Sequence, residues 1–155
     1  MSTYTPVASQ TLSASASSVT FSNIPQDYTD LILVFSGSAS TSDDFQIQVN
    51  SDTGSNYSRT WLTGNGSTAA SSRGTSQSYM RVDQNGYLST GISNIIIHFM
   101  NYSNTTTYKT LLTRANNANN GVNAEVNLWR STAAITSISI NSLKAGTTFN
   151  LYGIL

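Results

Sequence analysis

Short apolar blocks alternate along this chain with clusters of Gly, Asn and Ser. Blocks rich in Val, Ile, Phe and Tyr are typical of β-strands, and the polar clusters are typical of the turns between strands. The blocks that predict strands are residues 18–21, 31–35, 45–49, 79–82, 87–88, 92–100, 108–113, 124–128, 135–143 and 149–155. The pattern therefore predicts about eight to ten strands, spaced roughly ten residues apart.

Two of these blocks indicate how their strands are covered. Residues 31–35 are continuously apolar, which predicts a strand buried on both faces. Phe45, Ile47 and Val49 alternate with Gln, which predicts a strand with one buried face and one polar face.

The polar segments between the blocks predict turns and loops. Asn-Gly at residues 85–86 is a strong hairpin signal, because both residues tolerate positive φ. Residues 50–54, Asn-Ser-Asp-Thr-Gly, predict a tight turn. We expect exposed loops at 64–77 and 115–123, and at most one helical turn at 57–62.

The predicted fold class is all-β: a single-domain, jelly-roll-like antiparallel β-sandwich over residues 1–155. A chain of this length can bury a core without disulfides or metals. Residues 1–17 precede the first predicted strand, as an extended N-terminal arm would. We expect the last strand to dock in a sheet through Phe149, Leu151 and Leu155, because such side chains are costly to expose.

Charge is scarce and balanced, which bears on the choice of partners. Only 9% of residues are charged, and seven basic residues offset seven acidic ones. Nucleic acids and anionic membranes attract proteins with a net positive surface, so we expect neither as a partner. Arg59, Arg73 and Arg81 could line a nucleic-acid stacking groove with nearby aromatic residues, but the zero net charge disfavours it.

The chain also lacks several features that would mark its compartment. It has no cysteine, so its fold is independent of redox state. Its N-terminus has no basic region followed by an apolar run, so no secretory signal is predicted. No apolar stretch approaches the roughly 20 residues that span a bilayer.

Catalytic candidates are few, because His98 is the single histidine. Alternation places His98 on one strand face with Ile96 and Met100. A catalytic base needs a partner that orients it, and no carboxylate is near His98 in the sequence. We interpret His98 as a structural or interface residue, and we predict no catalytic residue and no cofactor.

Asp43, Asp44 and Asp52 are the local group of carboxylates in the chain. Calcium loops place alternating Asp and Asn ahead of a bidentate Glu, which is missing here, so we expect a plain turn and no metal site. A glycan-cleaving enzyme would need two carboxylates about 5–10 Å apart, and only these residues could supply them. This enzymatic alternative is the least favoured.

Tyr57, Trp61 and Tyr79 raise a further possibility. Aromatic side chains among polar residues occur in carbohydrate-binding sites and at protein interfaces, where Tyr offers a large area at low entropy cost. We therefore treat these three residues and His98 as candidate interface or glycan contacts. The competing interpretation is that the aromatic residues belong to the core and the sheet surface.

Four stretches resemble segments of tailed-bacteriophage and prophage virion structural proteins. The first is 21–31, F-x-x-I-P-Q-x-Y-x-x-L, and the second is 50–57, N-x-D-x-G-x-N-Y. The third is Tyr-Ser-Asn-Thr at 102–105 followed by Lys109, and the fourth is Phe-Asn-Leu-Tyr-Gly-Ile at 149–154. The four stretches occur in the same order as in the family.

This resemblance implies a β-rich protein of the phage particle, located on the capsid or in tail fibres and often trimeric. The chain contains no coiled-coil, collagen-like or repeat stretch of the kind that forms a fibre shaft. That favours a capsid decoration, or cement, protein that binds the major capsid protein as a homotrimer on the virion surface, after synthesis in the host cytoplasm. The alternative is a tail-fibre module that recognises host surface glycans.

Overall fold

The computed structural model describes residues 3–39, 45–82, 91–117 and 119–155, which form strands and turns without a helix. The twelve strands are β1 Thr5–Thr11, β2 Ala16–Phe21, β3 Asp30–Gly37, β4 Gln46–Val49, β5 Tyr57–Gly64, β6 Ala69–Gln77, β7 Met80–Arg81, β8 Ser93–Met100, β9 Lys109–Asn117, β10 Gly121–Trp129, β11 Ile138–Leu143 and β12 Thr148–Ile154. The described ranges contain no helix long and apolar enough to cross a membrane.

The strands form two antiparallel sheets. The larger sheet has eight strands in the order β1-β12-β3-β8-β9-β10-β5-β6, and the smaller has four in the order β2-β11-β4-β7. The predicted all-β antiparallel sandwich is thereby confirmed. The number of strands exceeds the predicted range, and the eight-and-four division differs from the evenly divided eight strands of a simple jelly roll.

Apolar side chains from both sheets meet in one core. Ring contacts cross from sheet to sheet: Phe35 lies 5.3 Å from Phe45, and Phe21 lies 5.9 Å from Phe149, measured between centroids. Along β3, every second residue is buried and the residues between are half-buried. The expectation that residues 31–35 are covered on both faces is therefore wrong, because nothing in the described chain packs over their outer side.

Four other expectations are corrected by the strand assignments. Residues 57–62 belong to β5, and most of the predicted loop 64–77 is β6, an edge strand paired with β5. Its Ala, Ser, Thr and Gly side chains are mostly exposed, so the strand has no apolar signature. The predicted loop 115–123 is mainly the adjoining ends of β9 and β10. The predicted N-terminal arm contains β1, which pairs with β12.

The last strand docks as expected, with one exception. Phe149 and Leu151 are buried, but Leu155 is 62% exposed because it follows the end of β12. The predicted turn at 50–54 is present, with Asn50 and Ser51 at positive φ. The predicted Asn-Gly hairpin at 85–86, the strand at 87–88, Asp43 and Asp44 lie outside the described residues.

Candidate functional site

The outer face of the eight-stranded sheet, which points away from the smaller sheet, is apolar at its centre. Strand register aligns its outward-pointing residues in two rows, each of which crosses β3, β8, β9, β10 and β5. One row contains Ile32, His98, Leu112, Val126 and Thr60, and the other contains Val34, Ile96, Arg114, Ala124 and Leu62.

Two adjoining depressions follow these rows. The larger has a volume of about 730 Å³ and the smaller about 500 Å³, and Leu62, Arg114 and Ala124 line both. Leu62 is 61% exposed, Val126 47% and Leu112 41%. Large aliphatic side chains that stay this exposed beside one another are typical of a surface that another molecule covers.

His98 lies within this outer face, because it alternates along β8 with the buried residues Ile97 and Phe99. Its Nε2 lies 2.7 Å from Oδ2 of Asp30, the first residue of β3. Oδ1 of Asp30 accepts a 2.7 Å hydrogen bond from the backbone N–H of Asn101. The partner that the local sequence lacked thus comes from a neighbouring strand, and the imidazole is oriented against the sheet surface.

Arg114 is the cation at the centre of the outer face. It lies opposite Ile96 of β8 and Ala124 of β10, and it forms no ion pair with any described residue. Asp30, at the start of β3, already accepts hydrogen bonds on both carboxylate oxygens, from His98 and Asn101. The outer face therefore presents a guanidinium among aliphatic side chains, with no described carboxylate to neutralise it.

A buried polar cluster lies on the opposite, inner face of β5 and β10. The Arg59 guanidinium nitrogen lies 3.6 Å from Oε2 of Glu125, and both side chains are almost fully buried. Oε1 of Glu125 accepts a 2.6 Å hydrogen bond from Asn123. Burial raises the pKa of Glu125, against the opposing effects of Asn123 and Arg59.

Amide side chains extend this cluster to the smaller sheet. Asn127 donates a hydrogen bond of 3.1 Å to the backbone carbonyl of Arg81, and Asn123 donates one of 3.3 Å to that of Val82. Polar side chains of β10, in the larger sheet, thus hydrogen-bond to the backbone of the smaller sheet at the end of β7. The alternation in residues 124–128 indicated a strand correctly, but it did not indicate that the polar side would be the inner one.

The three candidate aromatic residues do not form one exposed platform. Tyr57 is fully buried, so the structure places it in the core rather than among surface contacts. Trp61 is partly buried, with the Arg59 guanidinium 4.2 Å from its ring centroid. The Tyr79 hydroxyl accepts a 2.8 Å hydrogen bond from Arg81, whose guanidinium lies 5.3 Å from the centroid of the tyrosine ring.

The turn at 50–54 is held by its own side chains. Asp52 accepts hydrogen bonds from the backbone of Gly54 at 2.8 Å, from Asn56 at 2.9 Å and from the Trp129 indole at 2.6 Å. Burial of the carboxylate opposes ionisation, but these three donors outweigh burial and lower the pKa of Asp52. The described residues contain no group of three or more His, Asp or Glu side chains that could hold a metal ion.

The Tyr57 hydroxyl completes this arrangement by donating a 2.9 Å hydrogen bond to the carbonyl of Asp52. Its burial raises the pKa of Tyr57 to about 12. The Asn, Asp, Gly, Asn and Tyr of the motif N-x-D-x-G-x-N-Y at residues 50–57 thus shape this turn together.

The other three motif segments, residues 21–31, 102–109 and 149–154, contact one another. The Tyr102 hydroxyl donates to the carbonyl of Pro25, and Ser103 donates a 3.2 Å hydrogen bond to the carbonyl of Tyr28. A Cβ on Gly153 would overlap the ring of Tyr28. The first, third and fourth segments therefore meet through side-chain contacts, which gives these motifs an architectural role.

No protein-family model matches this chain, and no curated protein matches it.

Proposed function

We propose that this protein is a non-enzymatic structural component of a phage particle, a decoration protein that binds the assembled capsid. The observation that carries the proposal is the outer face of the eight-stranded sheet, where exposed aliphatic residues line two adjoining depressions. The resemblance of four segments to virion proteins supplies the context. Contacts among the first, third and fourth segments support an architectural role for these motifs rather than a catalytic one.

In this proposal, decoration stabilises the shell by mass action. A protein that binds the assembled capsid, but not its separated subunits, shifts the equilibrium toward the assembled state. The outer face supplies apolar area for that contact, and other surfaces of the chain form the proposed homotrimer. A sheet face suits this role because a second sheet can pack against it at a distance of about 10 Å.

The test begins with the number of copies in purified particles, measured by quantitative mass spectrometry. Decoration predicts on the order of hundreds of copies, arranged by capsid symmetry. A tail-fibre module predicts a few copies and measurable binding of host glycans. Absence from the particle would contradict both.

Variants then connect the copy number to the surface. We expect Leu62→Glu and Leu112→Glu to abolish binding to particles that lack the protein, and to leave those particles as fragile to heating as undecorated ones. Ile92→Glu is the matched control, because Ile92 is 73% exposed and lines neither depression. Equal binding by all three variants would contradict the assignment of the outer face.

A further inference from the structure

We infer that the outer face docks an apolar β-surface of a different protein that carries a carboxylate, and that Arg114 pairs with this carboxylate. The inference rests on the proposed docking role of the outer face and specifies the chemistry of its partner. It follows from one polar feature, the guanidinium of Arg114 between Ile96 and Ala124.

The first step concerns the charge left on the surface. Covering the outer face would remove Arg114 from water, and burying an unpaired charge is strongly unfavourable. Among the described residues, the carboxylate on the outer face is that of Asp30, which already accepts hydrogen bonds from His98 and Asn101, and Glu125 points to the interior. We therefore expect the docking partner to supply a carboxylate.

The second step weighs a second copy of this chain as the occupant. In a symmetric face-to-face pair, each outer face would bring its own Arg114 and its already occupied Asp30 to the interface. Two guanidinium groups would then be desolvated, and the described carboxylate of each face, Asp30, is already engaged by His98 and Asn101. Charge complementarity thus favours a partner of different sequence.

The third step concerns shape. The two rows of outward residues cross five strands, which corresponds to a width of about 19 Å at the usual strand spacing. A single acyl chain or a pair of strands would leave much of that width uncovered, whereas a sheet of several strands would cover it. In the free protein, Arg114 is exposed, so its charged end reaches water while its aliphatic part lies along the apolar surface.

Two dyes of matched shape test the charge preference without any phage component. The anionic probe is 8-anilinonaphthalene-1-sulfonate, and its uncharged analogue is N-phenyl-1-naphthylamine. We expect the wild-type protein to bind both, and Arg114→Gln to weaken binding of the anionic dye by about threefold to tenfold while changing the neutral dye by less than twofold. Arg114→Lys should restore most of the anionic binding.

Unchanged binding of the anionic dye by Arg114→Gln would overturn the role of Arg114. Failure of both dyes to bind, or retention of both by Leu62→Glu, would overturn the apolar docking surface. Sedimentation velocity provides the remaining arm: an oligomer that dissociates on Leu62→Glu would identify a second copy as the occupant and overturn the inference. Absence of the protein from purified particles contradicts the decoration proposal instead, because neither the dyes nor sedimentation depends on a capsid.

Discussion

The indole nitrogen of Trp129 donates a 2.6 Å hydrogen bond to the carboxylate of Asp52. This contact ties the last residue of β10, in the larger sheet, to the turn that follows β4, in the smaller sheet. The same carboxylate holds the backbone of Gly54 and the side chain of Asn56. Asp52 therefore organises a junction of the two sheets rather than a ligand site.

Replacing this carboxylate should weaken the fold in a pH-dependent way. We expect Asp52→Asn to lower the free energy of unfolding by about 1–3 kcal/mol at neutral pH, because an amide cannot accept all three hydrogen bonds. The folded-state pKa of Asp52 lies below its ordinary value of 3.8, so the ionised carboxylate stabilises the fold above 3.8. This contribution is lost as the pH falls through the lower, folded-state pKa.

Urea unfolding of wild type and Asp52→Asn between pH 7 and pH 2 measures this dependence. The difference between the two proteins should be constant near neutrality and shrink below about pH 3.8. Asp27→Asn is the control, because Asp27 is exposed and forms no described hydrogen bond or ion pair. A difference that persists unchanged at the lowest pH would argue against stabilisation by the charge.

A second prediction concerns the close approach of Gly153 to Tyr28. We expect Gly153→Ala to destabilise the fold by about 1–3 kcal/mol, because the added methyl group would overlap the ring and force a shift. Thermal unfolding monitored by circular dichroism measures the loss. Gly64→Ala serves as a control, since its Cβ would make only ordinary contacts, the nearest at 3.8 Å from Val122.

A double-mutant cycle identifies the cause of that loss. If the ring is responsible, Gly153→Ala should cost much less in a Tyr28→Ala background than in wild type. Additive effects of the two substitutions would show that contact with the ring is not the cause.

The apolar strands show how far the sequence pattern can be read. The alternation of Phe45, Ile47 and Val49 with Gln correctly predicts a half-buried strand, because burial of one face requires a period of two. Strand β6 has no such face to bury: its small side chains are mostly exposed, and backbone pairing with β5 is what defines it. No local pattern could distinguish it from a loop.

The candidate sites show a different limit. His98 was placed correctly on its strand face, but its partner Asp30 is brought close only by the register of β3 with β8. The same is true of Arg59 and Glu125, which meet through the pairing of β5 with β10. Strand register is a long-range property, and the sequence pattern did not determine the strand order.

Removal of one partner from the buried Arg59–Glu125 pair should be costly. We expect Glu125→Ala to destabilise the fold by about 3–5 kcal/mol, because it leaves the Arg59 guanidinium buried without the carboxylate that neutralises it. The double variant Arg59→Met/Glu125→Leu should recover most of that loss, since neither charge is then desolvated. Chemical unfolding of both variants measures the difference.

The polar cluster would be less important than its burial suggests if Glu125→Ala changed stability by under about 0.5 kcal/mol, the usual size of a surface effect. Asn127 provides an internal comparison. Its side chain hydrogen-bonds both the Arg81 carbonyl and the Glu125 carboxylate, so Asn127→Ala should cost about 1–3 kcal/mol.

Neighbouring residues of β9 test the difference between the two faces of the larger sheet. Leu111 is 1% exposed and points to the core, whereas Leu112 is 41% exposed and points to the outer face. We expect Leu111→Ala to destabilise the fold by about 2–5 kcal/mol, because it leaves a cavity in the core. Leu112→Ala removes the same atoms from a surface that water already reaches, so its cost should stay near 0.5 kcal/mol.

In dye binding the order should reverse, with Leu112→Ala showing the larger effect. Leu112→Ala should weaken binding of the neutral naphthylamine dye, because it removes apolar area from the larger depression, while folded Leu111→Ala should bind it as wild type does. Stability is measured by urea unfolding and binding by dye fluorescence under folding conditions. Equal loss of stability in both variants would mean that the outer face is already covered within the protein, because only a covered leucine leaves a cavity when it is shortened.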